Sequence, residues 1–151
     1  MNEIIIRKMT EADIDGVYDV EINSFAIPWS KKSFSDELSN SLAIYYIAES
    51  EGRVAGYAGM WNVADEGDVT NIAVHPDFRR RGIGKLLMNA LFKEAQSSDM
   101  RLITLEVRES NAPARKMYES FGFKEVGIRK NYYADNRENA VIMTVYIEDK
   151  M

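Results

Sequence analysis

The segment Asn71-Ile-Ala-Val-His-Pro-Asp-Phe-Arg-Arg-Arg-Gly-Ile-Gly-Lys-Leu86 carries the most explicit chemistry in the chain. Arg79, Gly82 and Gly84 form R-x-x-G-x-G directly before a helical pattern. Glycine lets the backbone approach a ligand closely and take angles that other residues resist. The first turn of a helix leaves N–H groups without internal partners, and its dipole favours negative charge. A glycine loop running into a helix therefore suits a phosphate or pyrophosphate. The same pattern fits an ordinary strand–turn–helix whose glycines serve a tight turn. The loop alone leaves both readings open.

Other residue types narrow the chemistry. There is no cysteine, which removes disulfides, thiolate metal sites and a cysteine nucleophile. The single histidine, His75, excludes a two-histidine metal site and argues against a Ser-His-Asp triad. His75 precedes Pro76, where turn chemistry is the ordinary role. No metal is expected. Glu106 lies in the stretch Arg101 to Arg108, which alternates cleanly. Ile103, Leu105 and Val107 share one face; Leu102, Thr104, Glu106 and Arg108 share the other. There Glu106 is either a surface or salt-bridged carboxylate or a proton acceptor. Tyr118 follows Asn111 by about two helical turns, so the two share a helix face. A tyrosine so placed is either core or a hydroxyl available for proton transfer.

The elements that must position these residues follow from periodicity. Ile4 to Ile6 reads as a short strand. Thr10 offers a helix cap with Asp13 as a capping-box partner, and Ile14, Val17, Tyr18, Ile22 and Phe25 continue at helical spacing. Pro28-Trp29 breaks that helix, and Ser30 caps another to about Leu38. Leu42 to Ala48 and Val54 to Val63 read as strands around a hairpin turn at Glu51-Gly52-Arg53. Asp65-Glu66-Gly67-Asp68 reads as a polar turn, followed by a strand from Val69 to His75. Val69 shares a face with Asn71, but apolar residues resume at Ile72 and Val74. That one-residue slip marks either a β-bulge or a strand buried on both faces. A helix opens at Ile83 and ends near Gln96–Asp99. Asn111 and Pro113 begin another that stops at Gly122. Phe123 to Ile128 and Ala140 to Ile147 are strands around the polar, aromatic loop 131–139.

About seven strands and four helices in mixed order predict an α/β (α+β) fold on a partly antiparallel sheet. A chain of 151 residues fits one domain spanning 1–151. The net charge of −5 disfavours non-specific nucleic-acid binding, and no direct nucleic-acid contact is expected. The apolar run at Ile4–Ile6 is too short for a signal peptide, and none approaches a membrane span. The lack of cysteine is compatible with the cytoplasm. No membrane association is expected. The oligomeric state is not legible.

The full order of motifs resembles the GNAT superfamily of acetyl-CoA-dependent N-acetyltransferases. It comprises Asn71-Ile-Ala-Val74, Arg79-Arg-Arg-Gly-Ile-Gly84, Leu105-Glu-Val-Arg108, Ser110-Asn111 and Tyr118-Glu-Ser-Phe-Gly-Phe123. A narrower set, Pro28-Trp29-Ser30 and Ile128-Arg-Lys-Asn-Tyr-Tyr133 with the motifs above, looks like the RimI branch. RimI enzymes acetylate the N-terminal alanine of the eighteenth small-subunit ribosomal protein. The resemblance implies a mostly antiparallel sheet with splayed central strands. It implies that the backbone of Ile72, Ala73 and Val74 runs along the pantetheine arm of acetyl-CoA. Arg80, Arg81, Gly82, Ile83, Gly84 and Lys85 then match the pyrophosphate loop, and Asn111 a further cofactor contact. Glu106 matches the general base and Tyr118 the general acid. Trp29, Tyr132 and Tyr133 become candidates for the peptide-binding mouth, with packing of the core or of a loop as the equal alternative for each.

The implied reaction is direct transfer, since no thiol is available for an acyl-enzyme. An α-amine of pKa near 8 is about one-tenth neutral at pH 7, whereas for lysine at about 10.4 the neutral fraction is a few in ten thousand. A glutamate base therefore copes more easily with an N-terminus. The competing readings are a GNAT enzyme for a small amine, such as a polyamine, an amino acid or an aminoglycoside, and a non-catalytic CoA-binding module. Retention of both Glu106 and Tyr118 argues against the latter.

Overall fold

The computed structural model describes residues 3–147. Met1 and Asn2, on which the signal-peptide reading partly rests, lie outside the described residues, as do 148–151. The strands are β1 (Ile4–Lys8), β2 (Ala43–Ser50), β3 (Arg53–Val63), β4 (Glu66–Val74), β5 (Leu102–Arg108), β6 (Lys124–Arg129) and β7 (Ala140–Tyr146). The helices are α1 (Ile14–Ile22), α2 (Lys31–Leu38), α3 (Ile83–Ser97) and α4 (Ala112–Ser120). The seven strands form one sheet in the order β1-β2-β3-β4-β5-β7-β6. Every neighbouring pair is antiparallel except β4 and β5. The α+β, mostly antiparallel architecture expected above is the one found.

Helices cover both faces. Ile83, Leu87, Met88 and Leu91 of α3 are buried with Ile103, Leu105 and Val107 of β5. Val17 and Val20 of α1 and Phe34 of α2 are buried on the opposite face, with Tyr45, Ile47 and Tyr57. Burial of such side chains contributes about 1.5–3 kcal/mol each and holds the framework rigid around the site. Helix α1 ends at Ile22, and Phe25, placed in the helical spacing above, stands in the loop and is exposed. Ser30 caps α2 by accepting from the Ser33 N–H at 3.1 Å. Glu51 and Gly52 both have positive φ, 56° and 72°, and close the β2–β3 hairpin. Two consecutive positive φ values match the twist of the flanking strands.

Two features of β4 shape the site. The first corrects the sequence reading: the strand begins at Glu66, not Val69, and the turn before it is at Ala64-Asp65, with φ of 53° and 66°. Gly67 is a buried strand residue opposite Ile103. A Cβ on it would lie 2.9 Å from Met60 Sδ, so close packing rather than a turn needs glycine here. The second is a bulge, one of the two readings that the slip after Val69 left open. Gly59 pairs with Asn71 while Met60 pairs with Val69, which leaves Thr70 as the extra residue. Beyond it β4 leaves β5. Their parallel pairing is confined to Glu66, Gly67 and Asp68 against Leu102, Ile103 and Thr104. Strand β4 continues along β3 to Val74, and β5 along β7 to Arg108, so the two diverge as a V.

Candidate active site

Along residues 69–74 the backbone of β4 facing β5 has no strand partner. Backbone donors and acceptors in such a position need another partner. The V opens onto a cleft of about 730 Å³, with Asn71 and Ile72 on one wall and Glu106 on the other. A second groove of about 620 Å³ shares Ser24, Phe25, Ile72, Asn111 and Tyr118 with it. That groove runs past Ala73 and Val74 to Arg80, Gly82, Ile83, Gly84 and Lys85. The two form one continuous channel, with Tyr118 and Asn111 at the junction.

The glycine loop fits an anion. Gly82 is left-handed at φ 75° and precedes α3, and no side chain caps that helix. Its first N–H groups are therefore open to a ligand, in the field of the helix dipole. A Cβ on Gly84 would lie 3.3 Å from Met117 Sδ, so glycine lets α4 approach the helix start. Arg80, itself left-handed at φ 66°, and Lys85 line the groove. Arg81 does not line it, unlike the other loop residues singled out above. Its guanidinium stacks 5.2 Å from the Phe78 ring centroid and lies 3.6 Å from Glu51.

Glu106 reaches the cleft because strict alternation in β5 sends Leu105 and Val107 into the core. Its Oε1 accepts a hydrogen bond from the Tyr132 hydroxyl at 3.3 Å, and its Oε2 ion-pairs with Arg129 at the end of β6. Burial, with the Glu106 charge second, pushes the nearby Asp68 carboxyl up. Tyr118 is 5% exposed and packs edge-on against Phe123, centroids 5.8 Å apart. Burial pushes its phenol well above the ordinary value, so the hydroxyl carries its proton at neutral pH but is a weaker acid than a free phenol. Asn111 also caps α4: its Oδ1 accepts from the Ala114 N–H at 3.2 Å.

The mouth of the cleft has two walls. Tyr132 and Tyr133 stand on the β6–β7 loop, edge to face at 5.1 Å. Arg108 holds that loop to β5. Its Nη2 donates to Asp135 at 2.9 Å, and its guanidinium lies 4.0 Å from the Tyr133 ring centroid. Glu138 accepts from the Ser110 N–H at 2.6 Å. Burial pushes the Tyr133 phenol up to about 12. Trp29, on the α1–α2 segment, forms part of the other wall and packs 5.5 Å from Phe34. His75 lines neither groove. Its Nδ1 accepts from the Asp77 N–H at 3.1 Å, and its Nε2 lies 3.3 Å from Asp19.

Glu21, Arg108 and Arg129 were not singled out as site residues by the sequence. A signal for Glu21 existed: it falls seven residues after Ile14, where an amphipathic helix places an apolar residue. Arg108 and Arg129 carried none, because their partners lie far away in the chain.

The model of the acetyltransferase (GNAT) family matches residues 14–123. The chain belongs to the GNAT family. It is thus an acetyl-CoA-dependent N-acetyltransferase, and the splayed β4–β5 pair is the family feature expected above. Among GNAT enzymes it is 38% identical over 144 residues to the ribosomal protein bS18-alanine N-acetyltransferase of Escherichia coli (strain K12), covering 94% of this chain and 97% of the other. It is 40% identical over 150 residues to the enzyme of that name from Salmonella typhimurium, covering 97% and 99%. The crystal structure of the ribosomal-protein-S18-alanine N-acetyltransferase from Escherichia coli superposes with a TM-score of 0.90 at 37% identity, covering 100% of this chain and 97% of that one. The structure of Ard1 from Thermoplasma volcanium superposes with a TM-score of 0.89 at 26% identity, over 97% and 99% of the chains. No described helix is long and apolar enough to cross a membrane.

Proposed function

We propose that this GNAT enzyme acetylates a protein N-terminus in the cytoplasm, namely the N-terminal alanine of ribosomal protein bS18. The observation that carries the reading is that Glu106 and Tyr118 line one cleft, continuous with the glycine-loop groove. The substrate assignment draws on near-full-length similarity to enzymes named for that alanine.

Acetyl-CoA is the acetyl donor. Gly82, Ile83 and Gly84 hold its pyrophosphate through backbone N–H groups, with Arg80 and Lys85 adding charge. The free backbone edge of Ile72, Ala73 and Val74 aligns the pantetheine arm, and Asn111 contacts the cofactor at the junction. The peptide enters between Trp29 and the Tyr132-Tyr133 loop. The α-amine attacks in its neutral form, and Glu106, directly or through one water, takes the one proton it sheds on attack. The amine nitrogen bonds to the thioester carbon, the C–S bond breaks, and Tyr118 gives its proton to the departing sulfur. Proton transfer of this kind requires hydrogen-bond reach and a suitable pKa.

The test offers acetyl-CoA with an Ala-starting peptide, and with the same peptide Nα-blocked and carrying a lysine. Transfer to the free α-amine supports the reading. Transfer to the blocked peptide alone, or preference for a free polyamine over both, overturns it.

A further inference from the structure

Glu21 is a carboxylate only 2% exposed, on the last turn of α1. Burial of an ionisable group is costly unless its polar atoms are satisfied. Its Oε2 accepts from the Trp29 backbone N–H at 2.8 Å, and its Oε1 accepts from the Tyr57 hydroxyl in the sheet. Its backbone carbonyl accepts from the Ser24 N–H at 3.1 Å and the Phe25 N–H at 3.0 Å. The whole segment from Ser24 to Trp29 therefore closes on this one residue. Residues 25–28 of that segment are exposed, Ser24 and Trp29 are half-buried, and Phe25, Ile27 and Trp29 form part of the cleft wall.

The far side of the clasp leads to the bulge. Tyr57 belongs to β3 and stacks 6.5 Å from Tyr45. The Tyr45 hydroxyl lies 3.1 Å from Thr70 Oγ1, the extra residue of β4, and donates to Asn71 Oδ1 at 3.4 Å. Buried polar groups thus span from the mouth segment towards the point where β4 turns away from β5.

We propose that Glu21 is a positioning residue for the acceptor peptide, clasping the Trp29 segment to the sheet so that the mouth has one shape before substrate arrives. This rests on the peptide reading above. Without the clasp the segment must be ordered on binding, so the cost falls on acceptor affinity rather than on the chemical step. Glutamine can replace the carboxylate, because its oxygen accepts from Trp29 and its NH₂ donates to the Tyr57 oxygen.

Three variants and two readouts test this. In Glu21→Ala, KM for the Ala-starting peptide rises at least about tenfold, as loss of ~1.4 kcal/mol requires. Both kcat and KM for acetyl-CoA stay within about threefold. Amide exchange at Trp29 speeds by at least about tenfold, since its N–H loses its acceptor. In Glu21→Gln both readouts stay within about threefold of wild type. Tyr57→Phe keeps the buried ring, removes the sheet anchor and raises the peptide KM by about two- to fivefold, so it serves if Glu21→Ala does not fold. A peptide KM unchanged in both Glu21→Ala and Tyr57→Phe overturns the proposal. So does a Glu21→Gln variant that loses kcat, which would make the charge part of the chemistry. The exchange arm still decides the clasp if wild type acetylates no peptide, a result that sinks the proposed function alone.

Discussion

The Tyr132 hydroxyl donates to Glu106 Oε1 at 3.3 Å, while Arg129 pairs with the other oxygen of the same carboxylate. A residue of the mouth loop and a residue of the edge strand β6 therefore aim the proposed base. Tyr132→Phe keeps the ring and removes this bond. It should lower kcat by about two- to tenfold, the modest net worth of one long, solvent-exposed hydrogen bond to a carboxylate, with acetyl-CoA affinity unchanged. Steady-state kinetics with both substrates varied measures this; an unchanged kcat removes Tyr132 from the account.

Tyr118→Phe tests the acid. The ring keeps its edge-on contact with Phe123, so folding is preserved. The expected fall in kcat is about 10²-fold, the low end for general acids, because a thiolate of pKa about 8.5 leaves tolerably well without a proton. Single-turnover transfer at pH 7 reports it. A loss below about twofold assigns the tyrosine to packing alone.

Gly82→Ala tests the anion site. There is open space for the methyl group, but at φ 75° any side chain is strained. Stability should fall by about 1 kcal/mol, and KM for acetyl-CoA should rise while that for the peptide does not. Calorimetric titration with CoA checks the affinity. Arg81→Ala should leave it nearly unchanged, since Arg81 points to Phe78 and Glu51.

Two buried carboxylates should move stability in opposite directions with pH. The Arg7 guanidinium, 2.8 Å away, holds the Asp13 carboxyl below its ordinary value of 3.8. A depressed folded value means that this contribution is present above that pH and lost as pH falls through the folded value. Asp13→Asn should therefore cost about 1–3 kcal/mol at pH 7, and the cost should shrink steadily as pH falls below 3.8. Burial raises Glu21 above its ordinary 4.5, so stability drops as pH rises from there through the raised value. Glu21→Gln should then have a higher urea midpoint than wild type at pH 8 and an equal one at pH 4.

Much of this was legible in the sequence because it is local. The alternation of Ile103, Leu105 and Val107 put Glu106 on the opposite face, which is the cleft face, and the slip after Val69 marked the irregularity that is a bulge at Thr70 rather than a strand buried on both faces. Asn111 and Ser30 cap helices where their types suggest. The start of β4 was misread because Glu66, Gly67 and Asp68 are turn formers by type, and only the distant partners Leu102 to Thr104 make them a strand. The mouth depends on the same kind of information. Arg108 of β5 meets Asp135 and Glu138 of the β6–β7 loop, and Glu21 of α1 meets Tyr57 of β3. Neither pairing leaves a periodic trace.

The most direct test of the central claim is the single-turnover rate of Glu106→Gln on an Ala-starting peptide, with acetyl-CoA affinity measured separately. The account predicts a rate about 10²–10⁴-fold below wild type with cofactor affinity kept. A variant as fast as wild type would contradict it, because Glu106 would then not be the base.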